Sequence, residues 1–242
     1  MKKAIIIGAT SGIGRDLAKV MSEDNVTLGL TGRRSEKLES LQAELPGDSF
    51  IMQMDVANVD EAVDKLNTLI ERMEGVDTVV INAGVGGANH DYQLGTELYL
   101  IDINVRGFVA MANTAVHYFS ETGHGHVVGI SSVASLLPNP RNSAYNASKA
   151  FISNYMTGLN MKIRLWGKDI LVTDIRPGFV YTPLTKGNTG MFWVSDSMKA
   201  SRQIYSAIKK RRRVAYITKR WRLVAWLLKI IPDVFFVRIR FK

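Results

Sequence analysis

The chain opens on a short apolar run, Ala4 to Ile7, set between two lysines and a glycine. Comparable runs rich in Ile and Val recur at Val26–Leu30, Phe50–Met54, Val76–Ile81, His126–Ser131, Ile170–Ile175 and Arg213–Thr218. Between them, Gly12–Met21, Ser35–Glu44, Val59–Met73, Glu97–Ser120, Ser143–Trp166 and Val194–Lys209 carry helical spacing. A short run without polar alternation reads as a strand buried on both faces. Strands of that kind alternating with helices build a parallel sheet. The pattern predicts an α/β fold: one doubly wound Rossmann domain over residues 1–218, with a seven-stranded parallel sheet and helices on both faces. A basic and apolar extension follows over 219–242. There is no internal repeat and no linker rich in Pro or Ser.

Composition adds exclusions. At 46% hydrophobic and 22% charged residues, the 242-residue chain is neither disordered nor fibrous. No apolar run is long enough to span a bilayer. The apolar stretch behind Lys2 and Lys3 is too short for the core of a signal peptide. Without cysteine, thiolate catalysis and cysteine-ligated zinc are ruled out, and a reducing cytoplasm is the expected location. His90, His117, His124 and His126 show no metal-ligand spacing, so no metal site is expected.

The net charge of +9 is unevenly spread. Residues 202–242 hold 13 Lys and Arg against one acid, Asp233, whereas the rest of the chain is slightly acidic. A basic end invites an anionic partner.

The first turn carries the first chemistry. Gly8, Thr10, Ser11, Gly12, Ile13 and Gly14 follow the first strand and open a helix. Glycines there let the backbone turn tightly against a pyrophosphate, which meets the free N–H groups of the helix start. At the end of the second strand, where an acidic residue would bind the ribose 2′-hydroxyl of NAD, the chain has Gly32, Arg33 and Arg34. Two guanidiniums suit a 2′-phosphate, so NADP (NADPH) is favoured over NAD.

Further signals follow in order: Asn82, Ala83 and Gly84 after the fourth strand, Asn104 in a long helix, Ser131 and Ser132 after the fifth strand, then Tyr145 and Lys149. Together with the Gly-x-x-x-Gly-x-Gly turn, this set closely resembles the short-chain dehydrogenase/reductase family, over nearly the whole chain to about Thr182. Ile7 and Ile81 depart from the family pattern without removing a reacting group. The resemblance implies that Asn104, Ser132, Tyr145 and Lys149 are catalytic, with Ser132 chosen because it lies thirteen residues before Tyr145. It also implies that Asp55 and Val56 line the adenine pocket, and that Pro177, Gly178, Val180 and Thr182 form the loop beside the nicotinamide. Asn104 would hold a water between Lys149 and bulk solvent.

Tyr145 and Lys149 also make chemical sense by themselves. Four residues apart, they share a helix face. A phenol is a poor base at neutral pH, and a nearby ammonium favours the phenolate. Lys149 can hold the nicotinamide ribose as well, while Ser132 polarises the substrate oxygen.

The expected activity is therefore NADP(H)-dependent oxidoreduction between a carbonyl compound and an alcohol. The alternative is a nucleotide-sensing or membrane-associated binding protein on the same fold, against which the complete Ser132, Tyr145 and Lys149 set argues. Leu184, Met191, Phe192, Trp193 and Met198 suggest a lid suited to a lipophilic substrate, or equally a docked helix of the core. The glycine-rich loop from Val85 to Thr96 offers Asn89, His90, Asp91 and Tyr92 without a clear pattern.

The extension looks helical from Lys219 to Ile231, with Pro232 ending it before an aromatic and cationic stretch from Phe235 to Phe241. Two readings stay open: docking on the cytoplasmic face of an anionic membrane, or packing against the body or a second subunit. No nucleic-acid-reading motif accompanies the charge, which speaks against nucleic acid. The family commonly forms dimers or tetramers through its long helices, and the two long helices here permit a homo-dimer or homo-tetramer.

Overall fold

Along β1 (Lys3–Ile7), Ile5 and Ile7 enter the core on one face of the sheet and Ala4 and Ile6 the core on the other. All four are fully buried, which is why the run shows no polar alternation. The computed structural model that shows this describes residues 1–228 apart from 88, 90, 137, 140, 141 and 189, with backbone alone at 227 and 228.

The remaining strands are β2 (Thr27–Gly32), β3 (Ser49–Gln53), β4 (Thr78–Ile81), β5 (His124–Ile130), β6 (Asp169–Pro177) and β7 (Val214–Ile217). They form one parallel sheet in the order β3-β2-β1-β4-β5-β6-β7. Helices α1 (Gly12–Ser22) and α2 (Ser35–Glu44) cover one face, and α3 (Val59–Arg72) lies on the other. The order reverses between β1 and β4. Chain leaving these two strands in opposite directions opens a crevice at their C-terminal ends, where ligands of such sheets bind.

The helix expected over Glu97–Ser120 is three pieces. α4 (Leu94–Ile101) runs into a π turn, Asp102–Gly107, which continues as α5 (Phe108–Thr122). Two contacts fix the turn. The Asn104 side chain is drawn to the Val85 backbone, and a Cβ at Gly107 would come within 2.7 Å of the Val56 carbonyl. An apolar periodicity does not register one widened turn.

After β5 come a 3₁₀ turn, Val133–Leu136, and α6 (Ser143–Trp166). β6 leads to a 3₁₀ turn at Pro183–Thr185 and to α7 (Ser197–Lys209), which packs on α1. The expected helix of the extension is described as α8 (Trp221–Leu228). Its Trp221 and Ala225 are buried, whereas Leu223 and Trp226 are exposed. The rest of that expectation, Lys229 to Ile231 and the stretch beyond Pro232, lies outside the described residues, as does His90. Among the described residues, no helix is long and apolar enough to cross a membrane.

Candidate active site

The turn after β1 is built for close approach. Gly8 has φ +92°, and a Cβ there would come within 2.7 Å of the Ala83 backbone. Gly12, at φ +56°, opens α1, so free N–H groups and the positive end of the helix face the crevice. Gly14 serves packing instead: a Cβ would stand 2.2 Å from the Gly8 carbonyl. That carbonyl accepts a hydrogen bond from Asn82 Nδ2 at 2.8 Å, tying β1 to the end of β4.

Gly8, Thr10, Ser11, Gly12 and Ile13 line one side of the crevice. Arg33, Arg34, Asp55 and Val56 line its outer end, and Asn82, Ala83, Gly84 and Thr182 the inner end. Arg34 Nη2 donates to Thr10 Oγ1 at 2.7 Å and Ser11 Oγ at 3.1 Å. Arg33 Nη1 donates to the Tyr99 hydroxyl of α4 and stands 4.0 Å from Asp55 Oδ2. Both guanidiniums are thus held at the mouth of the cleft.

At the inner end, Asn104 sits fully buried in the π turn. Its Oδ1 accepts from Val85 N and its Nδ2 donates to Val85 O, both at 2.8 Å, and Nδ2 also donates to Ser148 Oγ at 3.1 Å. These bonds leave its side chain committed to shaping the loop after β4. Lys149 is buried beside it, donating from Nζ to the Ile130 carbonyl at 3.1 Å. Burial brings the Lys149 ammonium down to about 8, and the charge of Asp174 opposes that fall.

Tyr145 lies next to this ammonium, its ring centroid 5.8 Å from Nζ. Burial pushes the Tyr145 phenol above its ordinary range, and the neighbouring Ser132 hydroxyl works the other way. The two serines after β5 part company. Ser131 Oγ is spent on Asp174 Oδ1 and the Ile175 carbonyl, at 2.5 and 3.0 Å. Ser132 Oγ accepts from Ala134 N at 3.0 Å and donates weakly to Pro177 O at 3.4 Å, beside the phenol.

Tyr145, Lys149, Pro177, Gly178 and Val180 do not line the nucleotide crevice itself. The first two adjoin it: Cβ positions at Gly84 and Gly86 would come within 3.4 Å of Lys149 Nζ and 3.0 Å of the Tyr145 ring. Val180 is buried and supports its loop, its carbonyl accepting from Thr185 Oγ1 at 2.8 Å. Gly178 lies under Trp221 of α8, whose Nε1 would be 1.9 Å from a Cβ there. Trp221 also meets Phe179 and Phe192, with ring centroids 5.6 and 5.1 Å away. Phe192, Trp193 and Leu184 are exposed over this loop, whereas Met198 packs into the core.

Sequence reading missed several residues. Met54, Ile103 and Pro183 line the crevice as plain apolar positions with no local signal. Tyr99, Asp174 and Trp221 matter through contacts with residues far along the chain.

Residues 2–191 match the family of short chain dehydrogenases. An uncharacterized oxidoreductase of Myxococcus xanthus is 35% identical over 192 residues, 77% of this chain and 75% of that one. An NADP-dependent 3-hydroxy acid dehydrogenase of Shigella flexneri is 32% identical over 179 residues, 73% and 71% of the two chains. A short-chain dehydrogenase/reductase of Burkholderia phymatum, solved in complex with NAD, superposes with a TM-score of 0.83 over 93% of this chain and 92% of its own, at 20% identity. With its crevice, its turn and its helix pair in this arrangement, the chain belongs to the short-chain dehydrogenase family.

Proposed function

We propose that this oxidoreductase uses NADP(H) to reduce a lipophilic carbonyl compound to its alcohol. The observation that carries the cofactor choice is the end of β2. Gly32 leaves no carboxylate there, and Arg33 and Arg34 line the crevice beside it. The glycine cradle and the free start of α1 fit a pyrophosphate. The NADP-dependent relative from Shigella flexneri supports the same choice. The bound nicotinamide would supply the hydride.

The chain's own groups divide the remaining work. Tyr145, kept protonated by burial, gives its proton to the carbonyl oxygen, and Ser132 donates a hydrogen bond to that oxygen. Lys149 binds the ribose hydroxyls and stabilises the phenolate left behind. Asn104 keeps the assignment of holding a water near Lys149, through its backbone, since its side chain is engaged with Val85 and Ser148. The exposed Leu184, Phe192 and Trp193 favour an apolar substrate body.

Two surfaces belong to the same reading. α4 and α6 leave Leu98, Met161 and Leu165 open to solvent, which supports pairing of two copies along these helices. The outer side of α8, with Leu223, Trp226 and Arg222, suits an anionic lipid surface.

The test is a titration of NADPH and NADH by fluorescence, followed by a panel of aldehydes and ketones monitored through NADPH absorbance. Tighter NADPH binding and turnover that rises with the apolar size of the ketone are expected. Preference for NADH, or turnover confined to small charged substrates, would refute the reading.

A further inference from the structure

Asp174 is a buried carboxylate, 2% exposed, with no part in the chemistry above. It sits on β6, in register with Gly129 of β5 and Val214 of β7. Its Oδ1 accepts from Ser131 Oγ at 2.5 Å, and its Oδ2 from Ser153 Oγ at 3.0 Å and Arg176 Nε at 2.6 Å. Arg176 is braced in turn by the Tyr216 hydroxyl, 3.1 Å from Nη1.

The positions of these partners give the cluster its meaning. Ser131 immediately precedes Ser132. Ser153 lies one helical turn beyond Lys149 and two beyond Tyr145, on the same face of α6. One carboxylate therefore joins the strand end that carries Ser132 to the helix that carries the other two groups. The bond from Lys149 to the Ile130 carbonyl runs alongside it. A buried ion pair adds little stability over apolar packing, because desolvation offsets its attraction. Its place at this junction calls for another reason.

We propose that Asp174 is a positioning residue for the reaction: its charged carboxylate holds Ser132 in register with Tyr145 and Lys149 and serves as counter-charge to the buried ammonium. This rests on the reading that those three residues carry the chemistry. Around Lys149, Tyr145 stands on the same helix, Asn104 and Gly84 bring no charge from the π turn and the loop after β4, and Asp174 brings a negative charge from β6. Arg176 pairs with that carboxylate through Nε, 2.6 Å from Oδ2.

Asp174→Asn keeps the shape and removes the charge. The experiment follows its reductive kcat against pH, beside wild type, Tyr145→Phe and Ser153→Ala. In Asp174→Asn the alkaline limb should move down by about one pH unit, since Arg176 without its partner pushes the same way. Neutral kcat should fall about ten- to a hundredfold as the groups lose register. Ser153→Ala keeps the ion pair and removes the bonds from α6 to Asp174 and to Ser131, so it should lower kcat with the limb unmoved. An unmoved limb and near-normal kcat in Asp174→Asn would overturn the proposal. Should that variant fail to fold, normal kcat in Ser153→Ala overturns it instead. A dead Tyr145→Phe beside an unaffected Asp174→Asn removes the positioning role alone, whereas an active Tyr145→Phe removes the catalytic reading as well.

Discussion

Arg33, at the end of β2, is held by Tyr99 on α4: its Nη1 donates to the Tyr99 hydroxyl and its guanidinium lies 5.9 Å from the ring centroid. Asp55 faces it from another side at 4.0 Å. A long exposed side chain gives up much conformational freedom on binding a phosphate, and these contacts restrict it beforehand. Arg33→Ala should weaken NADPH about ten- to a hundredfold and NADH far less, the worth of a charged hydrogen bond. Tyr99→Phe should weaken NADPH about threefold to tenfold, the worth of a neutral hydrogen bond. Fluorescence titration of both cofactors checks each variant, and equal loss of both would make Arg33 structural.

Turning the proposed NADPH preference towards NADH needs two changes. A Cβ at Gly32 would stand 2.5 Å from Thr10 Cγ2, so Gly32→Asp by itself collides with the phosphate turn. Thr10→Ser removes that methyl and keeps the hydroxyl that Arg34 contacts. The double variant should turn towards NADH in kcat/KM, and the single Gly32→Asp should mainly lose affinity for both cofactors.

The direction of turnover should follow pH through Tyr145. Burial raises its phenol, so at neutral pH it holds the proton that reduction requires. As pH rises, kcat/KM for reduction should fall while that for alcohol oxidation increases. Tyr145→Phe should lose about 10²–10⁴ in both directions and still bind NADPH. Parallel pH profiles in the two directions would contradict this assignment.

Acid stability should depend on His126. It is buried on β5, with Nε2 2.7 Å from Thr173 Oγ1, and burial followed by the charge of Arg211 lowers it to about 4. The unfolded chain takes up a proton near pH 6.5 and the folded one only near 4. The contribution of the neutral imidazole is therefore complete above pH 6.5 and lost as pH falls towards 4, about 3 kcal/mol in all. Urea denaturation of wild type and His126→Gln across that interval should show a difference that shrinks with acid. A constant difference would mean His126 titrates alike in both states.

The outer side of α8 can be tested with vesicles. Leu223→Glu combined with Trp226→Glu should abolish co-sedimentation with anionic vesicles while leaving NADPH turnover intact. Wild-type protein should remain partly bound in high salt, because its apolar side chains do not depend on screened charge. Absence of wild-type binding would refute the lipid reading.

The sheet was legible because its central strands are buried on both faces, so Ala4 to Ile7 or Thr78 to Ile81 stand out without knowledge of their neighbours. The phosphate turn was legible because its glycines act within seven residues. Other features depend on distant chain. The π turn arises from Val85 and Val56 pressing on one helix, and Tyr99 reaches Arg33 across the crevice. α8 is apolar on both sides, so its periodicity could not say that Trp221 turns inward and Trp226 outward. Met198 carried the same ambiguity and belongs to the core.

The seat of Trp221 on Gly178 also restricts the order in which the two positions can change. With the indole in place, even alanine at 178 has nowhere to put its methyl, 1.9 Å from Nε1. Once residue 221 has shrunk, to leucine for example, the contacts with Nε1 and Cε2 are gone. A lineage could therefore pass through Trp221→Leu and then Gly178→Ala, and the opposite sequence of steps would be closed to it. The two substitutions should be non-additive in a double-mutant cycle, the pair together less damaging than the sum of the singles.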